Sequence, residues 1–312
     1  MRFEHKDILD IEALSVQDIT MILDTAEGMK GISKRAVKKV PTLRGKTIIL
    51  LFQEPSTRTR SSFDIAAKRL SADSISLSKS TSSIVKGETL IDTARTLEAM
   101  NPDIIVIRHP SSGAPHLIAK HVNSSVINAG DGIHGHPTQA LLDLMTVREK
   151  KGKLSGLNIS IVGDISHSRV ARSNIAGFTM MGANVTVAAP ATMIPKGVES
   201  LGCKVAPDMD SCVENADVIM MLRIQKERQE NILFPTEREY ATLYGLNERR
   251  LKLAAGDAIV MHPGPLNRGV EITNQVANGA NAVILDQVTN GVALRMALFY
   301  LVAGGSKNAD TV

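Results

Sequence analysis

Short apolar runs alternate with helical patterns along the whole chain, which predicts an α/β protein of parallel sheets with helices on both faces. Two further observations agree. The apolar runs are rich in β-formers and nearly unbroken, as for strands buried on both sides. Cations and hydroxyls gather just past the carboxyl ends of those runs, where open α/β sheets bind ligands. The 312 residues suggest two domains. The polar, Gly-containing stretch Lys150–Gly156 reads as their junction, because the rhythm restarts after it.

Ser15 to Lys30 reads as a helix, with Ser15 as N-cap and Ile19, Ile22, Leu23 and Ala26 on one face. The basic cluster Lys30, Lys34, Arg35, Lys38 and Lys39 reads as solvated surface. Thr47 to Phe52 is a buried strand. It runs into Glu54-Pro55-Ser56-Thr57-Arg58-Thr59-Arg60-Ser61-Ser62, after which Phe63, Ala66, Ala67 and Leu70 recur with helical spacing. The hydroxyls therefore sit at a strand-to-helix turn. A helix start supplies N–H donors and the positive end of the dipole. With the hydroxyls and the guanidinium forks of Arg58 and Arg60, this describes a phosphate cradle. An ordinary Ser/Thr cap beside two solvated arginines is the alternative. The Gly-Lys spacing of a Walker loop is absent.

Asp73 to Ser78 is the next strand. The Ser/Thr-rich stretch Lys79 to Val85, ending in Lys86-Gly87-Glu88-Thr89, reads as a plain surface loop or as one that covers a ligand. A helix follows through Ile91, Ala94, Arg95, Leu97 and Glu98. Asp103 to Ile107 is a strand that runs into Arg108-His109-Pro110. Ser125 to Asn128 is a fourth, followed by a turn at Ala129-Gly130-Asp131-Gly132. Pro137 fits a first helical turn, which sets His136 at the helix start and Gln139 one turn on, facing the same way. His134 and His136 lack a third ligand at zinc spacing.

Asn158 to Val162 opens the second half and is followed by Gly163-Asp164-Ile165-Ser166-His167-Ser168-Arg169 and a helix from near Val170. Only Gly163 meets the three-glycine dinucleotide fingerprint. Asn184 to Ala188 and Asp217 to Leu222 are strands, the latter ending at Arg223-Ile224-Gln225. Ala258 to Met261 leads into His262-Pro263-Gly264-Pro265-Leu266. Ala282 to Leu285 reads as the last strand, and a closing helix runs from about Thr289 to Ala303.

Composition narrows the function. The formal net charge is +4 and the pI about 9.0, but aromatics are only 3% with no Trp, which leaves few base-stacking platforms. An anionic small molecule is the better partner than nucleic acid. Cys203 and Cys212 make neither a disulfide framework nor a metal set, which fits a reducing compartment. The charged start Met1-Arg2-Phe3-Glu4-His5-Lys6-Asp7 lacks a signal peptide's apolar core, and no apolar run reaches roughly 18 residues. The expectation is a soluble cytoplasmic protein without a membrane segment.

Arg58, Arg108 and His136 follow strands of the first half; Arg169, Arg223 and the His262–Leu266 turn follow strands of the second. Two anionic ligands, or two anionic ends, are expected to meet between two domains. No nucleophile pairs with a base, and no Gly-x-Ser-x-Gly elbow occurs, so direct group transfer is expected.

These residues resemble the transcarbamoylase family over essentially the whole chain. The matching motifs are Ser56-Thr57-Arg58-Thr59-Arg60, Lys86-Gly87-Glu88-Thr89, Arg108-His109-Pro110, His136-Pro137-Thr138-Gln139, Arg169, Arg223-Ile224-Gln225 and His262-Pro263-Gly264-Pro265. The last turn resembles the aspartate branch; the ornithine branch carries a His-Cys-Leu-Pro turn. Gly264 stands where some relatives carry Leu or Ala.

The resemblance implies a carbamoyl-phosphate domain of residues 1–149 plus 290–312, an aspartate domain of residues 150–289, and interdomain helices joining them. It implies carbamoyl transfer from carbamoyl phosphate to L-aspartate, with no cofactor and no metal. Ser56, Thr57, Arg58 and Thr59 would hold phosphate, and Arg108 would bridge phosphate and carbonyl. His136, Thr59 and Arg108 would stabilise the oxyanion. Gln139 and the carbonyls near Gly264, Pro265 and Leu266 would hold the carbamoyl NH2 and the amine. Arg169, Arg223 and Gln225 would clamp aspartate. Ser82 and Lys86 would reach in from a neighbouring subunit of a homotrimer, which turns the reading of their loop toward ligand contact. Regulatory chains or a dihydroorotase-like partner are the assemblies such a trimer would join.

Overall fold

The computed structural model describes residues 3–78, 88–225 and 236–304. The chain divides into two compact units, Met1–Leu142 with Val288–Val312, and Asp143–Gln287.

In the first unit α1 (Val16–Ile32) starts with a capping box: the Asp18 N–H donates to Ser15 Oγ (3.1 Å) and the Ser15 N–H to the Asp18 carboxylate (2.9 Å). Its buried face holds Ile19, Ile22, Leu23 and Ala26, as the spacing predicts. The chain then alternates: β1 (Thr47–Phe52), α2 (Thr57–Arg69), β2 (Asp73–Ser78), α3 (Leu90–Glu98), β3 (Ile104–His109), α4 (Ala114–Ala119), β4 (Ser125–Asp131) and α5 (Pro137–Lys151), which belongs to the second unit from Asp143 on. The strands lie in the order β2-β1-β3-β4, and every pairing is parallel. Ile49, Leu51, Ile105, Ile107 and Val126 pack with Ala94 and Leu97 of α3 and with Ala114 and Ile118 of α4. Ile48, Leu50, Ile104 and Val106 alternate with them and are also fully buried, so β1 and β3 are covered on both faces. Truncating one of them, such as Leu51→Ala, costs about 2–5 kcal/mol.

The turn expected at Ala129–Gly132 begins later than the sequence suggests, since β4 continues to Asp131. The outer edge of β4 is paired by the N-terminal segment. The Ile8 N–H donates to the Val126 carbonyl and the Asn128 N–H to the Ile8 carbonyl, both at 2.8 Å. That pairing satisfies the Val126 carbonyl and the Asn128 N–H at the strand's outer edge. The short α4, with Gly113 in left-handed conformation at its start, gave no sequence signal long enough to read.

In the second unit β5 (Asn158–Val162), α6 (Arg169–Met180), β6 (Asn184–Ala188), β7 (Cys203–Val205), α7 (Met209–Val213), β8 (Val218–Met221), α8 (Glu237–Tyr244), α9 (Glu248–Leu251), β9 (Ile259–Met261) and α10 (Asn274–Ala277) follow one another, and α11 (Ile284–Val302) starts there and continues as part of the first unit from Val288. The parallel sheet has the order β7-β6-β5-β8-β9. Val162, Ala188, Ile219, Met221 and Val260 share a core with Met209, Cys212 and Val213 of α7 and with Leu246, Ile272 and Val276.

One expected strand is absent. Ala282–Leu285 contributes a single bridge to Val260, and α11 already begins at Ile284. An apolar run of four cannot be told from a helix start by its period. Here the Val283 N–H takes the Val260 carbonyl (2.9 Å), and Asp286 then sits in the first turn of α11, at its positive end.

Each sheet has one point where the chain reverses its direction of travel. From β1 the first unit goes outward to β2, then returns to β3 and β4 on the other side. From β5 the second goes to β6 and β7, then returns to β8 and β9. The crevices outside β1/β3 and β5/β8 are therefore the two switch points, where such sheets take ligands.

Candidate active site

At the first switch point, β1 ends at Phe52 and α2 begins at Thr57. Ser56 caps α2 with extended backbone, and its hydroxyl makes no hydrogen bond to the helix's first turn. That turn carries no acidic side chain, so nothing in it offsets the dipole's positive end. Arg58 and Arg60 are exposed there, while Thr59 is buried and its carbonyl accepts from the Ser62 hydroxyl (2.8 Å). β3 delivers Arg108. Its carbonyl accepts the Gln53 N–H at 2.9 Å, locking the two strand ends together. Its side chain is only 13% exposed, with Nε 3.5 Å from Glu54 Oε2 and Nη1 3.5 Å from the Ala129 carbonyl.

The end of β4 supplies the next group. His136 is 3% exposed and directly precedes α5, and Gln139 is buried in the first turn of that helix. The Gln139 and Ala140 N–H groups donate to the His136 carbonyl at 2.9 and 3.2 Å. The Thr138 hydroxyl stands 3.5 Å from His136 Nδ1.

The second switch point is built the same way. Gly163 follows β5 with φ of 137°, and a Cβ there would come within 2.7 Å of the Leu222 carbonyl. Only glycine allows that approach. Asp164 is fully buried, and it accepts from His167 Nδ1 (2.8 Å), the His167 N–H (3.2 Å) and the Gln225 N–H (3.3 Å). It thus ties the β5 end to the β8 end. Arg169, 3% exposed, opens α6 behind the Ser168 cap. Arg223 Nη2 donates to Gln225 Oε1 (3.3 Å), and Gln225 Nε2 lies 3.5 Å from the Arg223 carbonyl.

Next to β8, β9 ends in the His262–Pro265 turn. The Gly264 N–H donates to His262 Nδ1 (2.8 Å), so the ring proton sits on Nε2 and donates to Glu271 Oε1 (3.2 Å). Gly264 has φ of 66°, a conformation that disfavours Leu or Ala, and the Gly264–Pro265 bond is cis.

The expected residues thus form two sets. Ser56, Thr57, Arg58, Thr59, Arg108, His136 and Gln139 belong to the first unit; Arg169, Arg223, Gln225, Gly264 and Pro265 belong to the second. Ser82 and Lys86 lie outside the described residues. Sequence reasoning missed the acids that hold these groups: Glu54, Asp131, Asp164 and Glu271. The available signal was a Gly-Asp pair at the end of β4 and again after β5. Among the described residues no three His, Cys, Asp or Glu side chains are grouped to hold a metal ion, and no helix is long and apolar enough to cross a membrane.

Two doubly wound units, each gathering cations and amides at its own switch point, define a two-domain binder of anionic small molecules. Residues 6–149 match the carbamoyl-phosphate-binding domain of the aspartate/ornithine carbamoyltransferases, and residues 155–302 match the Asp/Orn-binding domain. The chain belongs to that family. It is 88% identical to the aspartate carbamoyltransferase catalytic subunit of Desulforapulum autotrophicum over 312 residues, covering all of both chains. The ornithine carbamoyltransferase structure from Pyrococcus furiosus superposes with a TM-score of 0.86 at 32% identity, over 98% of this chain and 99% of that one. Aspartate transcarbamoylase from Trypanosoma cruzi, in complex with carbamoyl phosphate and aspartate, gives a TM-score of 0.85 at 29% identity over 96% and 95%.

Proposed function

We propose that this chain is an aspartate carbamoyltransferase: it transfers the carbamoyl group of carbamoyl phosphate to the amine of L-aspartate, giving N-carbamoyl-L-aspartate and phosphate. The observation that carries the reading is the division of chemistry between the switch points. One has hydroxyls and a helix start, suited to phosphate. The other has Arg169 and the Arg223–Gln225 pair, suited to a dicarboxylate.

In this reading Ser56, Thr57, Arg58 and Thr59 hold the phosphate. Arg108, His136 and Thr59 stabilise the oxyanion, and Arg108 also meets the phosphate. Gln139 and the carbonyls of Gly264, Pro265 and Leu266 orient the carbamoyl NH2 and the attacking amine. Arg169, Arg223 and Gln225 clamp the two carboxylates. The amine nitrogen attacks the carbonyl carbon, a tetrahedral oxyanion forms, and the bond to the phosphate oxygen breaks. Phosphate leaves with the amine proton. An acyl phosphate is already activated, so the transfer calls for no cofactor.

The protein acts as a cytoplasmic homotrimer at the committed step toward pyrimidine nucleotides, with Ser82 and Lys86 reaching a neighbour's site. Edge strand β2 with its exposed Ile75, and exposed Ile65 on α2, support a second copy against this side. The test is a carbamoylation assay with carbamoyl phosphate, offering L-aspartate and L-ornithine separately. Turnover with aspartate alone is expected. Turnover with ornithine, or with neither, overturns the substrate assignment.

A further inference from the structure

We propose that His134 and Asp131 are positioning residues for His136, acting through the turn that joins β4 to α5; the inference rests on the role given to His136 above. An oxyanion donor works only when held within a few tenths of an ångström of its place. On its C-terminal side His136 is fixed by α5. On its N-terminal side stand residues 132–135, two of which are glycines, and Gly132 has φ of 46°. Such a turn is soft unless something else holds it.

The Asp131 carboxylate holds it. It is fully buried. Oδ1 accepts from the Gly135 N–H (3.1 Å) and Asn128 Nδ2 (2.9 Å), and Oδ2 accepts from the Gly113 N–H (2.7 Å). The main chain closes the same loop: the Asp131 N–H donates to the Gly135 carbonyl (3.1 Å), and the His134 N–H to the Asp131 carbonyl (3.0 Å). Position 135 is thus clamped from both sides, one residue before His136.

A second carboxylate complicates this clamp. Asn128 Nδ2 also donates to the Leu9 carbonyl (2.9 Å), so the N-terminal segment brings Asp10 to the same place. A Cβ at Gly135 would lie 3.6 Å from both Asp10 Oδ1 and Asp131 Oδ1. Two like charges converging there repel unless a donor stands between them. His134 Nδ1 does so, 3.1 Å from Asp131 Oδ2 and 3.7 Å from Asp10 Oδ1. His116 Nε2 takes the other Asp10 oxygen (2.7 Å), and its ring lies edge-on to that of His134 at 5.7 Å. His134 is therefore the donor that lets both carboxylates stay beside the turn.

The test compares His134→Leu, which removes the donor, with His134→Asn, whose amide restores one near Nδ1. The Leu variant should lose ~10- to 100-fold in kcat, the scale of a displaced catalytic group, with KM for carbamoyl phosphate within about twofold. The Asn variant should restore most of the loss. In a His136→Ala background, His134→Leu should cause no further loss, since a residue acting through His136 has nothing left to position. Equal losses in both backgrounds, or an Asn variant as poor as Leu, overturn the proposal. The His136 ring resonances in an NMR spectrum give a readout without turnover: they should move in His134→Leu and return in His134→Asn, and unmoved signals also overturn it. A wild-type chain without carbamoyl transfer would instead sink the functional reading, and the ring signals would still decide this one.

Discussion

Arg108→Ala tests the first switch point most directly. Arg108 is 13% exposed and lies 3.5 Å from the Glu54 carboxylate, itself 21% exposed. In the proposed reaction it is both an oxyanion donor and a phosphate contact. Losing one oxyanion donor costs ~10²–10³ in kcat. Losing a charge-assisted hydrogen bond costs about 1.5–3 kcal/mol, or ~10- to 100-fold in KM. The product is a fall of ~10³–10⁵ in kcat/KM for carbamoyl phosphate. A further consequence is specific to this geometry. Removing Arg108 takes away a cation 3.5 Å from the Glu54 carboxylate, in the turn that leads into the phosphate cradle. Glu54→Gln in the Arg108→Ala background should therefore recover part of the KM loss, though none of the kcat loss. Initial rates over a matrix of both substrates, with thermal melts to confirm folding, supply the numbers. Retention of kcat/KM within tenfold in Arg108→Ala, or a double variant whose KM is no better, would refute the reasoning.

Arg223→Ala should raise the KM for aspartate ~10- to 100-fold while kcat changes less, because it removes one arm of a ground-state clamp; an unchanged KM in initial-rate kinetics removes Arg223 from that role. Mixing inactive Lys86→Ala and Arg58→Ala chains should recover part of the activity if sites are shared across subunits; no recovery after subunit exchange would argue for self-contained sites. Cys212 is buried and its thiol is pushed up to about 12 by desolvation, and burial raises Cys203 as well. A thiol reagent at pH 8 should therefore label neither in the native chain and both in denaturant. The sign for stability follows: the neutral buried thiol contributes fully below the unfolded value of ~8.5, and this is lost as pH rises toward 12. Alkaline unfolding monitored by circular dichroism should accordingly begin at higher pH in Cys212→Ala, allowing for its lower stability at neutral pH.

Much of this was legible in the sequence, for physical reasons. Strands buried on both faces are near-continuous apolar runs, so β1 and β5 were read with their observed bounds, and the partly exposed β2 and β6 were read with theirs as well. Cations at strand ends are conspicuous because a solvated arginine has no reason to recur there, and both switch points could be marked by Arg108 and Arg223. The errors came where length or pairing decides. β7 has three residues and α7 five, too few for any period to emerge. Ala282–Leu285 is apolar whether it is strand or helix start. β4 runs through a Gly-Asp turn signal because Asp131 pairs with His109 of β3 and bridges to Gly135, contacts that no strand pattern in the sequence carries. The organising acids were hidden for the same reason. Asp131 and Asp164 read as turn formers, since aspartate is common in turns, and only burial distinguishes the two uses.

Those acids bear on how an anion site can tolerate carboxylates at all. A flexible arginine carries about 2 kcal/mol of rotamer entropy, and a site that must order its groups only on binding loses that from affinity. Acids beside the strand ends order the bases at folding instead. A bare carboxylate would also repel the ligand it helps to bind, so its lone pairs have to be occupied. Asp164 meets both needs: His167 and the Gln225 N–H take its oxygens, and it remains fully buried. Asp131 does the same with backbone N–H groups and Asn128. Glu54 is different, because its partner Arg108 is itself expected to meet the phosphate, so pairing and ligand binding draw on one guanidinium. Buried acids whose oxygens are taken up within the fold fix geometry at little electrostatic cost to an anion. An acid held by a functional arginine tunes that arginine's availability, and for that reason Glu54 rather than Asp164 belongs in the double variant with Arg108.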